Sequence, residues 1–197
     1  MVDFHQLYQD ARRRAESHGI QVREESLGPE KAGQFDGLSI TINPSFNPQD
    51  RCFYLVHALG SIVRWSLDPD QCQALFQELR DAKRHRRQDP GRLEQAVAGW
   101  CAFEEAASEY GVWLLADLGH AEAIPAYTNF FRADQEAMVQ LHRHGSAPDW
   151  PEFFARWNQE VAAGARGVRP YQPNPVPSFQ PVAFREQEVI QEKDDKS

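Results

Sequence analysis

Two side chains in this 197-residue chain stand where chemistry could occur: His57 and Glu104. A helix can hold a catalytic divalent metal with two histidines four residues apart, because i and i+4 side chains share one helix face. A glutamate between them polarises the metal-bound water, and a third donor comes from another helix. The run His57-Ala58-Leu59-Gly60-Ser61 keeps only the first of these groups. Ala58 takes the place of the base and Ser61 that of the second imidazole. One imidazole, one carboxylate and a neutral hydroxyl make a poor zinc set. Without a carboxylate at position 58, no evident residue takes the proton of a bound water. The pattern therefore predicts no catalytic residue and no metal, with His57 and Glu104 as the ligands if one binds at all.

Glu104 draws notice for a second reason. Leu93, Val97, Trp100, Ala107, Gly111, Leu114 and Leu118 recur at helical spacing, and Glu104 falls near the middle of that apolar stripe. A carboxylate among apolar side chains must pair, protonate or bind metal. Its structural partner is expected to be His57 or Arg64. The vestigial or binding set is thus His57, Ala58, Ser61, Arg64 and Glu104.

Nothing else in the chain offers a competing chemistry. His142 and His144 are two apart and point away from each other on a helix, while His5, His18 and His120 lie at helix ends. No G-x-S-x-G elbow, P-loop or dinucleotide fingerprint is present. Cys52, Cys72 and Cys101 are scattered and read as reduced thiols of a cytoplasmic protein. The start Met-Val-Asp-Phe-His does not read as a signal peptide. A net charge of -8 argues against general nucleic-acid affinity. The one basic run, Lys83 to Arg87, reads as a solvated helix end. No apolar stretch reaches the length of about eighteen residues that a membrane span requires.

The elements that must position the pair follow from periodicity. Asp3 to Ser17 predicts a helix stopped by His18-Gly19. Ile20 to Glu24 alternates as a strand, and Phe35 to Asn43 predicts a turn feeding a second strand with Leu38, Ile40 and Ile42 on one face. From Cys52 to Val63 the chain is apolar all round, which predicts a helix at the centre of the domain. Further helices are expected at about Asp70 to Arg87, Arg92 to Leu118 and Pro125 to His142, and from an Asp149 N-cap through Val161. Residues 1–165 read as one α+β domain, mostly helical, with a small antiparallel or mixed sheet. Residues 166–197 read as a proline-rich arm, extended or disordered, ending in the charged run Glu192 to Ser197. In its sharper role the arm straps a groove through Tyr171, Phe179 and Phe184.

A strand ending Gly37-Leu38-Ser39-Ile40-Thr41-Ile42-Asn43, followed by Phe53-Tyr54-Leu55-Val56-His57-Ala58-Leu59-Gly60, resembles the ImmA/IrrE family of zincin-type metallopeptidases. There a small sheet precedes an active helix of the form F-x-x-A-H-E-L-G-H. The run Glu104-Glu105-Ala106-Ala107-Ser108-Glu109-Tyr110-Gly111-Val112-Trp113-Leu114-Leu115 is similar to that family's E-x-x-A-N-x-F-A-x-x-L-L helix. Its first Glu is the third zinc ligand, a role that falls on Glu104, while Ser108 stands where Asn or Asp is preferred. The resemblance implies a zincin-like helix pair against the sheet, with the catalytic Glu and second His of the motif absent. It implies a pseudoenzyme that binds a peptide or protein by strand addition in a cleft between the sheet edge and the central helix. The alternatives are a divergent metal-dependent hydrolase using His57, Glu104 and Glu105, and an assembly protein that forms homo-oligomers through its arm.

Overall fold

The computed structural model describes residues 2–28, 31–146 and 148–184. The expected run Glu192 to Ser197 lies outside them. The protein is α+β, mostly helical, with a three-stranded mixed sheet near its N-terminus.

Helix α1, Phe4–Ser17, starts where the Asp3 carboxylate accepts the N–H groups of His5 and Gln6, and it buries Leu7, Tyr8, Ala11 and Ala15. Strands β1 (Gln21–Glu24), β2 (Gly33–Phe35) and β3 (Ser39–Ile42) follow. Strand β3 is central, parallel to β1 and antiparallel to β2. Its Ile40 and Ile42 are fully buried. Leu38 departs from the expected face: it sits in the β2–β3 turn and is 45% exposed. The Asp36 carboxylate bends that turn by accepting the N–H groups of Leu38 and Ser39, so alternation begins only at Ser39. The buried Asn43 amide donates to the carbonyls of Gly28 and Lys31 and so pins the long loop before β2.

Helix α2, Pro48–Leu67, is capped by Asn47 and buried on almost every side from Cys52 to Trp65, as its lack of a polar face predicts. Residue 68 ends it, and the same Asp68 carboxylate caps α3, Pro69–Arg84. This helix is shorter than expected, because the chain turns at His85 and the Gln88 and Asp89 amides return to the His85 carbonyl. The basic run therefore straddles the end of α3, where Arg86 donates to the Lys83 carbonyl. Helix α4, Pro90–Asp117, runs beside α2, with Gly119 (φ 82°) in the left-handed turn after it. A single 3-10 turn, Ala121–Ala123, leads into α5 (Ile124–His144), and α6 (Trp150–Ala162) follows with Asp149 as its N-cap.

The main core lies where α1, the sheet, α4 and α5 close around α2. Helices α2 and α4 meet very closely. A Cβ placed on Gly60 would lie 2.1 Å from the Ala107 carbonyl oxygen, so only glycine lets the two backbones approach this far.

The arm leaves α6, forms no helix or strand over residues 167–184, and is docked on its own body. Tyr171 is 3% exposed, Phe179 stacks on the His18 ring, and Phe184 packs against Trp65 and Phe35.

His142 is buried in a satellite cluster, edge-on to Trp100, and neither ring nitrogen has a partner. Burial, helped by the Lys83 charge, lowers its pKa to about 4. The unfolded chain therefore takes up a proton first, and stability falls as pH drops through the window between the ordinary histidine value of 6.5 and about 4.

Two outcomes test this packing. Gly60→Ala should lower stability by about 1–3 kcal/mol in urea titrations, because α2 and α4 must separate. His142→Leu should flatten the acid limb of stability, whose steepest slope is about 1.4 kcal/mol per pH unit, and should stabilise the protein more at pH 5 than at pH 8.

Candidate functional site

His57 and Glu104, expected from spacing, are brought together: His57 Nε2–H donates to Glu104 Oε2 at 2.9 Å. The register of α2 against α4 sets this contact. Gly60 lies one turn beyond His57, Ala107 one turn beyond Glu104, and those two positions make the close helix approach. The other face of the imidazole is closed by Phe131 of α5, stacked at 4.1 Å between centroids with planes 16° apart. Ser108, buried on α4, lies 3.5 Å from His57 Nδ1, at the outer limit of a hydrogen bond.

The phenols of Tyr127 and Tyr171 converge on Ser108 from α5 and from the arm. The Tyr127 hydroxyl makes no well-formed hydrogen bond, and Gly111 leaves room for it, since a Cβ there would lie 2.0 Å away. The Arg132 guanidinium covers the Tyr171 ring at 3.7 Å.

The other predicted residues go elsewhere. Ala58 is fully buried in the main core, so the position expected for a base faces packed side chains rather than substrate. Ser61 is also buried, and no hydrogen bond joins it to His57 or Glu104. Arg64 donates to the Gln71 side chain at 2.8 Å, leaving His57 as the partner of Glu104. Glu105, adjacent to Glu104, projects about 100° away around the helix. There it accepts from Arg132 and Arg169, both at 2.8 Å, and the Arg132 hydrogen bond holds its carboxyl below the usual range. Of the other histidines, His120 donates to Asp10 at 2.9 Å, His142 is the buried ring described above, and His5, His85 and His144 are exposed.

Sequence reasoning missed Asp134. This α5 carboxyl shares its surroundings with His57 and Glu104, and its pKa is pushed up to about 6, chiefly by desolvation, with His57 opposing and Glu104 adding. A usable signal existed: Asp134 is bracketed by Phe131, Ala133 and Ala137, all buried, the same charge-in-a-stripe pattern that marked Glu104. Tyr54 belongs to the same neighbourhood, with burial and the two carboxylates raising its phenol pKa.

Zinc does not fit this donor set. His57 and Glu104 are joined to each other, Ser61 offers a neutral hydroxyl, and no three His, Cys, Asp or Glu side chains converge on a metal position among the described residues. The expected cleft between the sheet edge and the central helix is filled. Gly33 of β2 lies against the Tyr54 ring, and Phe35 meets both Tyr54 and Phe184. Two hollows lie elsewhere, one of about 550 Å³ between α4, α5 and the start of the arm and one of about 430 Å³ along β1.

The raised Asp134 carboxyl carries a sign. Because the folded state holds that proton more tightly, the contribution of Asp134 to stability is lost as pH rises from 3.8 to about 6. Asp134→Asn should therefore stabilise the protein at pH 7.5 relative to wild type, and this gain should disappear near pH 4 in thermal melts. Compared with known families, with characterised proteins and with solved structures, the chain has no match, so a functional reading rests on the geometry of this site.

Proposed function

We propose that the protein is a non-catalytic, zincin-like pseudo-peptidase that acts by binding an extended peptide or protein segment. The observation that carries the reading is the His57–Glu104 contact itself. The one imidazole and the one carboxylate that a hydrolytic centre would use satisfy each other at 2.9 Å, under Phe131. The residue in the base position, Ala58, lies in the core. A general base must reach the proton it removes, and a metal must find at least three protein donors; neither requirement is met by the predicted residues.

Retaining such a pair without chemistry is physically sensible. The contact fills the crossing of α2 and α4 with a hydrogen bond instead of an unpaired buried charge, so loss of either partner is costly. A scaffold of this kind presents sheet edges and grooves around a rigid centre, which suits recognition of extended chains through main-chain hydrogen bonds and aromatic pockets. No helix among the described residues is long and apolar enough to cross a membrane.

Metal content of untagged protein by inductively coupled plasma mass spectrometry, with and without added zinc, tests the proposal. Metal-free wild type is expected. Near-stoichiometric zinc that vanishes in His57→Ala would overturn the reading and restore the enzyme. Glu104→Ala, leaving the imbedded imidazole unpaired, should cost about 1–3 kcal/mol of stability without altering metal content.

A further inference from the structure

Several groups lie outside the site described above. The hollow between α4, α5 and the arm has three arginines, but each is matched by a glutamate. The buried His142 faces apolar side chains, and the three cysteines stand apart. The arm differs from these, because it occupies a built groove on its own domain.

Three anchors seat it. The Tyr171 ring lies under Arg132 with its phenol toward Ser108, Phe179 stacks on His18 with centroids 4.7 Å apart, and Phe184 packs against Trp65 and Phe35. The groove is shaped for this occupant. At Gly37 (φ 89°), the Val182 carbonyl passes so close that an added Cβ would lie 2.1 Å from its oxygen. The Phe184 N–H then donates to the Asp36 carbonyl, directly after β2, which is the kind of bond an added strand makes at a sheet edge. The arm's end thus lies where a peptide laid along β2 beside the central helix would lie.

Main-chain attachment is sparse. Among the described residues, two backbone–backbone hydrogen bonds join residues 168–184 to the body, Asn174 N–H to Glu109 O and Phe184 N–H to Asp36 O, and the Arg132 side chain adds one to the Arg169 carbonyl. The prolines of this stretch pre-set an extended form, so an occupant of the groove loses little conformational entropy on docking. Segments held by a few side chains and little hydrogen bonding occupy the low-stability end of a fold's opening spectrum.

We infer that the groove beneath residues 168–184 is an exchangeable binding groove for an extended, proline-punctuated peptide with aromatic anchors, and that the arm is its resident competitor. This rests on the binding reading above and names where that binding occurs. A partner segment with aromatic side chains at the spacing of Tyr171, Phe179 and Phe184 displaces the arm from the body. Displacement also withdraws the Tyr171 phenol from Ser108, the side chain beside His57 Nδ1.

The test uses the full chain with a specific protease site inserted between Gly167 and Val168, and a fluorescein-labelled peptide of the sequence 168–184. After cutting, the labelled peptide should bind saturably by fluorescence anisotropy. The uncut chain should bind it at least about tenfold more weakly, because the tethered arm competes at high effective concentration. In the uncut chain, Tyr171→Ala should improve binding of the labelled peptide by about tenfold, since one anchor of the competitor is gone. Equal binding by cut and uncut chains would place the peptide on another surface and overturn the inference. So would absence of saturable binding by the uncut Tyr171→Ala chain with native near-ultraviolet circular dichroism, a result that decides the matter even if cutting unfolds the protein. Stable dimers on light scattering that dissociate on adding the peptide would make a second copy the occupant, overturning the partner assignment. Stoichiometric zinc would sink the pseudo-peptidase reading but leave peptide exchange intact, so the two failures are distinguishable.

Discussion

The approach of α2 to α4 at Gly60 and Ala107 governs the molecule. Backbone-to-backbone contact of this kind fixes the rotation and axial register of both helices more tightly than interleaved side chains do, because a carbonyl oxygen has no rotamers with which to adjust. With that register set, the long side chains of His57 and Glu104, each one turn from the contact, reach each other across the crossing. His57 meets both Glu104 and Ser108, and Trp65 near the end of α2 clusters with Phe103 in the first half of α4, so α2 and α4 run roughly antiparallel here. Helix α3 packs against α4, and α5 closes the remaining side of the pair through Phe131 and Tyr127.

A polar pair inside such a crossing must be complete. The imidazole and the carboxylate satisfy each other, and Phe131 excludes water from one face. Asp134 shows the converse case, a carboxyl in the same neighbourhood whose desolvation favours the neutral form. Around this centre the aromatic residues form a nearly continuous layer, from Tyr127 and Phe131 through Tyr171 to the Arg132 guanidinium. The arm contributes to that layer although it lies beyond the last helix. Its tyrosine reaches into the main core toward Ser108, beside the central pair.

Much of this architecture was legible from local pattern. Asp3, Asn47, Asp68, Asp89 and Asp149 each cap a helix with a side-chain oxygen, and capping is a property of neighbours in sequence. The apolar circumference of α2 required burial on all sides, and the break of periodicity after α6, with its prolines, required an extended arm. The partial failures were equally physical. Leu38 has the right parity for the buried face of β3, but the Asp36 carboxylate bends the chain through a turn at that point, and turn geometry overrides alternation. The helix α3 stops at Arg84 because the following amides find acceptors in the turn at His85, a competition that periodicity does not register.

By itself, the sequence determined that positions 57 to 61 carry one imidazole and lack the base and second imidazole of a metal-binding helix. Spacing within one helix is set by 3.6 residues per turn, so the absence of a base at 58 and of a second imidazole at 61 follows without any knowledge of the fold. That His57 meets Glu104 instead of leaving it to Arg64, that Asp134 joins their surroundings, and that the cleft beside β2 is filled by Tyr54 and Phe184 were decided only by the tertiary structure. Each depends on how separate elements are rotated and shifted against one another. That arrangement follows from close packing across the whole core, to which positions such as Gly60, Ala107 and Gly37 contribute through the space they leave empty.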